Sequence, residues 1–321
     1  MRKIAVLASG GDSPGMNACI RAVTRAALDR GAEVVGFWDG FRGVVEQRGE
    51  PLTSRGVAGI LQRGGSIIGA GRCLAFHEDA VRREAVDYMR SEGIEGLVVI
   101  GGDGSLAGAM ELHRLGFPTA TIPGTIDNDM DGTEITIGAD TAINTAMEAI
   151  DRLRDTASSH NRVMIVEVMG RHCGYIAIMA GLATGAEMVI TPERPVELSA
   201  IYHEMESVRD KGKRHFVIVL AEGAHWSAAQ LAKLINQAPN KYEARYTVLG
   251  YIQRGGSPSR FDRILATRMG VAAVDALLDG QSGVLVAWRD NRCVVLDGDN
   301  LPPRGDPWDE MLYQVHRISA T

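Results

Sequence analysis

Two short segments of the chain combine glycines with carboxylates, a combination that suits phosphoryl transfer. GGDGS, residues 101–105, directly follows the apolar run of residues 97–100, and PGTIDND occupies residues 123–129. Glycines at a strand-to-helix turn let backbone amides approach a phosphate, and carboxylates can bind Mg²⁺ or take the proton of an acceptor hydroxyl. The carboxylates of these segments are Asp103, Asp127 and Asp129. We therefore expect the two segments to contribute to one phosphoryl-transfer site.

Each segment also has a purely structural interpretation. An extended PGTIDND would place the side chains of Asp127 and Asp129 on one side, which suits a base beside a metal ligand. The same residue types are typical of a turn whose side chains hydrogen-bond to their own backbone, and for this segment alone the turn is favoured. Glycine-rich strand-to-helix turns often serve only the tight turn, although in GGDGS the carboxylate of Asp103 lies between glycines at a strand end, with no apolar neighbour to bury it. Taken singly, the segments do not identify a reaction.

Three further glycine-rich segments follow predicted strands. They are SGGDSPGMN at residues 9–17, EVMGRHCG at residues 167–174 and TVLGYIQRGG at residues 247–256. Because arginines at strand ends can clamp a phosphoryl group, Arg171 and Arg254 are candidate anion contacts. The alternative for each arginine is an ordinary solvated side chain.

The elements that must position these segments alternate along the chain. Strand-like apolar runs occur at residues 4–7, 34–38, 97–100, 163–168 and 216–220. Helices are predicted at residues 17–30, 78–92, 141–157 and 261–279. This alternation predicts an α/β fold in which helices cover both faces of parallel sheets. The 321 residues exceed the roughly 250–300 at which a single core stops growing, so we expect two domains, the first ending just before the third of these helices.

Composition excludes several classes of partner. With 34 basic and 40 acidic residues the net charge is −6, which argues against bulk attraction to nucleic acid or to an anionic membrane. The four cysteines lie far apart in sequence, without metal-type spacing, and suggest reduced thiols in a cytoplasmic protein. The apolar runs at residues 4–8 and 173–186 are shorter than the core of a signal peptide and a membrane span, respectively.

Together the segments SGGDSPGMN, GGDGS, PGTIDND, EVMGRHCG and QRGGSP, in this order, resemble those of the ATP-dependent 6-phosphofructokinases of bacterial type. The resemblance implies transfer of the γ-phosphoryl group of MgATP to the 1-hydroxyl of fructose 6-phosphate, a step of glycolysis. It implies two doubly wound three-layer (αβα) domains with mainly parallel sheets and the active site in the cleft between them. The ATP-binding domain would be residues 1–138 plus 253–303, and the sugar-phosphate-binding domain residues 139–252 plus 304–321.

The resemblance also implies roles for individual residues. Asp127, with Thr125 beside it, would take the hydroxyl proton, and Asp103 and Asp129 would bind Mg²⁺. The residues implied to stabilise charge on the transferred group are Arg72, Arg171 and, through its backbone amide, Gly11. Those implied to bind ATP are Gly11, Arg72, Cys73, Gly102, Asp103, Gly104, Ser105 and Gly108. Those implied to bind the sugar phosphate are Thr125, Asp127, Arg162, Met169, Gly170, Arg171, Glu222, Arg245, Tyr251 and Arg254.

Other implications concern the assembly and the phosphoryl donor. Arg162 and Arg245 would reach the site from a neighbouring subunit, which makes a homotetramer the expected assembly. Relatives that use pyrophosphate usually carry aspartate at the position of Gly104 and lysine at that of Gly124, so the two glycines favour ATP. Tyr251 stands where the family often has a histidine that contacts the 6-phosphate, which leaves a related sugar phosphate open.

A second anion site is also implied, for an effector such as ADP or phosphoenolpyruvate. Its residues would be Arg21, Arg25, Arg55, Arg154, Gly185, Glu187, Lys211, Lys213, Arg214 and His215. A further arginine of the family is absent at Ser54, although Arg55 is adjacent. The alternative for such a basic surface is a solvated helix face.

Three rival functions remain at this point. A pyrophosphate-dependent phosphofructokinase is disfavoured by the two glycines just named. An NAD or lipid kinase shares the GGDG loop but should lack PGTIDND and MGRHCG. A nucleotide-sensing subunit without catalytic activity should have lost the base or a clamping arginine, yet Asp127, Arg72 and Arg171 are present.

Overall fold

The computed structural model describes residues 1–238 and 242–320, so the predicted second domain includes four residues that lie outside the described part, at 239–241 and 321. Its strands, numbered in chain order, are β1 (Lys3–Ala8), β2 (Glu33–Phe37), β3 (Gly49–Pro51), β4 (Gly96–Gly101), β5 (Thr119–Thr125), β6 (Ile137–Gly138), β7 (Val163–Val168), β8 (Met188–Ile190), β9 (Phe216–Ala221), β10 (Ala244–Val248), β11 (Val284–Arg289) and β12 (Arg292–Asp297). Its α-helices are α1 (Met16–Asp29), α2 (Phe41–Val45), α3 (Asp79–Ser91), α4 (Asp103–Arg114), α5 (Ala139–His160), α6 (Tyr175–Thr184), α7 (Leu198–Asp210), α8 (Ala228–Gln237), α9 (Arg260–Leu278) and α10 (Glu310–Ser319). The mainly parallel α/β class expected from the alternating pattern is confirmed.

The chain divides into two compact units. The first comprises Met1–Ile126, Met130–Thr141 and Arg254–Arg304. The second comprises Asp127–Asp129, Ala142–Gln253 and Gly305–Thr321. The division falls inside α5, after its first turn, because that turn is held by residues of the first unit. Binding of ATP by one unit and of the sugar phosphate by the other stays a prediction.

The first unit is built on one long sheet. Its strand order is β12-β11-β5-β4-β1-β2-β3, and β6 pairs with β5. Every pairing is parallel except those of the two outermost strands, β12 and β3. Alternate residues of β4 explain the layering, because Val98 and Ile100 join the core cluster that includes α1 and α9, whereas Leu97 and Val99 join the one that includes α3 and α4. The carboxyl ends of β1, β4 and β5 therefore reach one edge of the sheet together.

The second unit is built on a four-stranded parallel sheet in the order β10-β7-β9-β8. Phe216, Ile218 and Leu220 of β9 face a core that also contains the buried residues of α7 and α8. On the other face, the close approach of α6 is set by a small residue, because a Cβ on Gly181 would lie 2.3 Å from Cγ2 of Val189. This unit is thus layered in the same way as the first.

The C-terminal segment ends in a helix of ten residues. Helix α10 begins after Asp309, whose carboxylate accepts a hydrogen bond from the Leu312 amide. No helix in the described part of the chain is long and apolar enough to cross a membrane. All four cysteines are free thiols.

Candidate active site

The glycine-rich loop after β1 is tied to the loop after β4. The Ser9 amide donates to the carbonyl of Ile100 (2.9 Å), and the Ser105 hydroxyl donates to the carbonyl of Ser9 (3.1 Å). Gly101 must lack a side chain here, because a Cβ would lie 2.3 Å from Oγ of Ser105. The first unit thus holds SGGDSPGMN and GGDGS side by side at one edge of its sheet.

Helix α4 presents an open N-terminus at this edge. Gly102 is its N-cap residue and makes no side-chain cap, and Asp103 and Gly104 that follow are exposed. A Cβ on Gly104 would meet no heavy atom within 4 Å. Backbone amides at such a helix start attract phosphate, and an exposed carboxylate among them is available to a metal ion. This geometry suits the ATP and Mg²⁺ roles predicted for these residues.

Arg254 lies against the glycine-rich loop after β1. A Cβ on Gly11 would lie 1.9 Å from Nη1 of Arg254, so only glycine admits the guanidinium at that distance. The sequence interpretation assigns Gly11 to ATP and Arg254 to the sugar phosphate. The structure brings the two residues together within the first unit.

The segment around Arg72 completes this edge. The Gly71 carbonyl accepts hydrogen bonds from the Gly10 amide and the Ser9 hydroxyl, both at 3.4 Å, and the exposed Arg72 and half-buried Cys73 follow it. Gly108 is different, because it lies more than one turn into α4, where a Cβ would press on the Phe41 ring at 2.9 Å. Packing against Phe41 is sufficient to require that glycine, and its contact with ATP stays a prediction.

PGTIDND leaves strand β5 after its first three residues and then turns, so the turn favoured for this segment is found and the alternative of a fully extended segment is excluded. Strand β5 ends at Thr125, and Asn128 has a φ of +51°, in the left-handed region, which turns the chain between the two aspartates. Asp127 is only 4% exposed, whereas Asp129 is half-buried. Thr125 is fixed by its carbonyl, which accepts a hydrogen bond from the Thr136 hydroxyl at 2.6 Å. The turn gives the two carboxylates different environments.

Arg171 adopts a strained backbone conformation in the second unit. Its φ is +50°, which costs a residue with a Cβ about 1–2 kcal/mol. One carboxylate oxygen of Glu222, Oε1, accepts hydrogen bonds from the amides of Arg171 (2.7 Å) and Gly170 (3.2 Å). A Cβ on Gly223 would lie 1.9 Å from the Arg171 carbonyl oxygen, so that position also requires glycine. Glu222, predicted to bind substrate, thus also fixes the loop that carries Arg171.

Arg162 and Arg245 share one carboxylate. Arg162 Nε donates to Oε2 of Glu243 (3.0 Å), and Arg245 pairs with Oε1 of the same residue. The hydrogen bond from Arg162 holds the pKa of the Glu243 carboxyl below its usual range. Tyr251, at 81% exposed, follows β10, the edge strand that carries Arg245. The structure therefore brings the two predicted sugar-phosphate arginines together.

The effector residues predicted in the second unit gather around Glu187. Its buried carboxylate lies 2.5 Å from Nζ of Lys213 and 3.6 Å from Nη1 of Arg154, and it accepts the Val217 amide at 2.6 Å. Burial lowers the pKa of the neighbouring His215. The remaining predicted residues of this unit are the helix-capping Gly185 and the exposed Lys211 and Arg214.

In the first unit, Arg21 and Arg25 lie on α1, and Arg55 is exposed. The two residues lie about one turn apart on this helix, and burial, followed by the charge of Arg25, lowers the pKa of Arg21.

Three residues that position the site loops were not found by sequence reasoning. Gln253 accepts the Met169 amide, Glu193 accepts the Gly174 amide, and Asp262 holds β6 and the start of α5. Each acts by accepting backbone amides of a distant segment, and no local sequence pattern marks such a role. Within residues 1–238 and 242–320, no three His, Cys, Asp or Glu side chains come together as a metal-binding group.

The parallel sheets and the glycine-rich turns after β1 and β4 are typical of one class of protein, the doubly wound α/β proteins whose turns bind phosphate.

Sequence comparisons identify the family within this class. The family model described as Phosphofructokinase matches residues 3–277. An ATP-dependent 6-phosphofructokinase of Lysinibacillus sphaericus is 50% identical over 315 residues, which are 98% of each chain. One of Tolumonas auensis is 49% identical over 319 residues, 99% of each chain. The chain belongs to the phosphofructokinase family.

Solved structures agree with this assignment. A phosphofructokinase of Pichia pastoris in the T-state has a TM-score of 0.87 and 35% identity, and the alignment covers 93% of this chain and 37% of that longer one. A pyrophosphate-dependent phosphofructokinase of Marinobacter aquaeolei has a TM-score of 0.81 and 24% identity, with 92% and 82% covered. At that identity the second likeness shows the fold alone.

Proposed function

We propose that this chain is an ATP-dependent 6-phosphofructokinase, a phosphotransferase of glycolysis. It transfers the γ-phosphoryl group of ATP to the 1-hydroxyl of fructose 6-phosphate and forms fructose 1,6-bisphosphate and ADP. The observation that carries the proposal is the 49–50% identity, over 98–99% of the chain, to relatives named for this activity. The retained residues Asp127, Arg72 and Arg171 support it, since a non-catalytic descendant would not need them.

Asp127 acts as the base that takes the hydroxyl proton, and Thr125 lies two residues before it at the end of β5. Its low exposure suits this role, because a carboxylate with little hydration holds a substrate hydroxyl more tightly than a solvated one does. Arg72, Arg171 and the Gly11 amide stabilise charge on the transferred group. The glycine backbone at residue 11 offers its amide without a side chain that would keep a phosphate away.

Mg²⁺ fits the carboxylate oxygens of Asp103 and Asp129, because this ion binds to one or two carboxylates together with substrate phosphates. When bound, the Mg²⁺ ion would neutralise part of the negative charge of the phosphates. Asp103 is exposed at the start of α4 and Asp129 is half-buried, so solvent reaches both residues.

The sugar phosphate is bound by Met169, Gly170, Arg171, Glu222 and Arg254, with Arg162 and Arg245 from a neighbouring subunit of a homotetramer. The position of Arg245 on an exposed edge strand supports its availability to a second copy. Tyr251 can donate a hydrogen bond to the phosphate but cannot become a cation near neutral pH. This departure favours, as the second candidate substrate, a related sugar phosphate.

The donor is ATP rather than pyrophosphate. A side chain on Gly104 would project into open space before the amides of α4, so an aspartate there would put a charge where the nucleotide phosphates bind. A Cβ on Gly124 would lie 2.9 Å from Cγ2 of Ile100, so a longer residue there requires that side chain to move. Gly104 thus leaves the space before the α4 amides open and uncharged, and Gly124 fits closely against Ile100.

The enzyme acts in the cytoplasm and is regulated by an anionic effector such as ADP or phosphoenolpyruvate. The cluster around Glu187, with Arg154 and Lys213, supports the effector site in the second unit. Four free cysteines fit a reducing compartment.

A coupled assay of the purified chain with fructose 6-phosphate tests this function. We expect turnover with ATP and far less with pyrophosphate, and a loss of turnover in Asp127→Ser. Absence of turnover with either donor would overturn the proposed reaction. Full activity of Asp127→Ser would remove Asp127 as the base.

A further inference from the structure

The loop of residues 169–174 carries Arg171 in a left-handed conformation that its surroundings must enforce. Strained backbone of this kind persists only where neighbouring groups hold it, and the way it is held indicates what the protein requires of the loop. Glu222 and Gly223 hold the middle of the loop, as described above. Its two ends are held by residues to which neither the sequence nor the comparisons give a role.

Gln253 holds the first end. Its Oε1 accepts the Met169 amide at 3.0 Å, and the side chain is fully buried. Its Nε2 has no hydrogen-bond partner among the described residues. A buried amide satisfied on one side only is a poor stabilising element, because the unpaired donor has lost its hydration. The contribution of Gln253 is therefore to fix the position of Met169.

Glu193 holds the other end. Its Oε1 accepts the amide of Gly174 at 2.7 Å, at the N-terminus of the ten-residue helix α6. Its Oε2 is buried and has no hydrogen-bond partner among the described residues. A Cβ on Gly174 would lie 2.6 Å from that oxygen, so the carboxylate and the start of the helix are fitted closely together. Glu193 likewise fixes the position of Gly174, although one of its two carboxylate oxygens has no hydrogen-bond partner among the described residues.

Five backbone amides of the loop, those of residues 169, 170, 171, 173 and 174, each have a hydrogen-bond partner elsewhere in the second unit or in the loop itself. Between the two ends, the Cys173 amide donates to the Gly170 carbonyl at 2.8 Å and closes a turn around Arg171. Loss of either end would let the turn rotate and would move the guanidinium attached to it. An arginine that stabilises a transition state loses much of its effect when displaced by about 1 Å.

We propose that Glu193 and Gln253 are positioning residues that hold Arg171 for phosphoryl transfer. The inference rests on the role proposed for Arg171 above. Both residues act through backbone amides of the loop rather than by touching a substrate.

The principal test compares Glu193→Ala with Glu193→Gln. We expect Glu193→Ala to lower kcat roughly 10- to 100-fold, with KM for ATP little changed, because the displaced group acts on the transition state. Glu193→Gln keeps an oxygen for the Gly174 amide, so it should restore kcat to within about 3-fold of wild type. Gln253→Met, which removes the other acceptor, should lower kcat in the same way.

The matched control is Glu167→Ala. Glu167 Oε2 accepts the Ala228 amide at 2.8 Å, so its carboxylate also holds a backbone amide at the start of a helix, α8, of the same unit. It should lower the melting temperature about as much as Glu193→Ala but leave kcat near that of wild type. A fall in kcat shared equally by both variants would mean a general loss of stability and would overturn the proposal.

A double-mutant cycle links the effect to Arg171. On an Arg171→Ala background, Glu193→Ala should change kcat less than about 2-fold further, because the group it positions is already gone. Independent, multiplicative effects would overturn the inference, as would wild-type kcat in both Glu193→Ala and Gln253→Met. Failure of the proposed function would look different, since wild-type enzyme would then show no turnover of ATP and fructose 6-phosphate.

Discussion

Lowering the pH towards 5 should stabilise the folded protein through one buried carboxylate, that of Asp262. Its Oδ1 accepts the Gly138 amide (2.8 Å), and its Oδ2 accepts the amide (2.9 Å) and the hydroxyl (2.5 Å) of Thr141. These hydrogen bonds favour the charged form. Burial opposes them and is the larger effect, and the nearby Asp140 charge adds to it, so the pKa of Asp262 is raised to about 6.

The sign of the effect follows from the two pKa values. The folded chain binds this proton more tightly than the unfolded chain, in which the carboxyl has its ordinary pKa of 3.8. The stabilisation is therefore complete below pH 3.8 and is lost as the pH rises through 6. Between pH 7 and pH 5 only the folded form takes up the proton to a large extent, which amounts to about 1.4 kcal/mol of unfolding free energy.

Urea unfolding of wild type and Asp262→Asn, at pH 7, 6 and 5 and at equal protein concentration, measures this contribution. The difference between the two proteins cancels the other carboxylates, and it should shift in favour of wild type by about 1.4 kcal/mol from pH 7 to pH 5. A difference that stays constant, or that shifts against wild type, would show that the three hydrogen bonds outweigh burial and would refute the reasoning.

Two further predictions concern ligands. Gly104→Asp should fold normally, since a Cβ there meets no heavy atom within 4 Å. It should raise KM for ATP roughly 10-fold through about 1–2 kcal/mol of charge repulsion, with KM for fructose 6-phosphate far less affected. Equal changes in both KM values would contradict the argument that the two glycines select ATP as the donor. Arg21→Ala should weaken the response of activity to ADP and phosphoenolpyruvate, because it removes one of two neighbouring cations on α1; unchanged response curves would exclude Arg21 from an effector site.

Much of the fold could be predicted because it depends on local patterns. The buried runs at residues 97–100 and 216–220 lie within β4 and β9, since apolar runs of that length between glycines and polar residues fit a sheet covered on both faces. The start of the last helix, α10, is harder to predict. The helix begins at Glu310, after the Asp309 cap, and the polar segment before it has no apolar residues at regular spacing that would mark the limit.

The site was predictable where it depends on residue type and not where it depends on backbone angle. GGDGS lies at a helix start, as the glycines and the preceding apolar run indicate. The residue types of PGTIDND favour a turn, but they do not show that it falls at Asn128, between Asp127 and Asp129, because tertiary packing decides where a buried asparagine turns the chain. Nothing in the sequence around Glu193 and Gln253 shows that each accepts an amide of the loop of residues 169–174.

Two strained residues at the proposed catalytic site explain why the residues that could not be predicted, such as Glu193 and Gln253, matter for activity. Asn128 follows Asp127 directly and Arg171 is itself the proposed clamp, and both have φ near +50° without being glycine. Glycine at either position would adopt the angle more easily, but it would also make the neighbouring backbone more mobile and, at residue 171, would remove the guanidinium. A side chain held at a cost of about 1–2 kcal/mol needs acceptors and close contacts from other segments to keep it there. The residues that provide them therefore contribute to phosphoryl transfer through geometry, and their substitution should change kcat more than it changes the affinity for ATP.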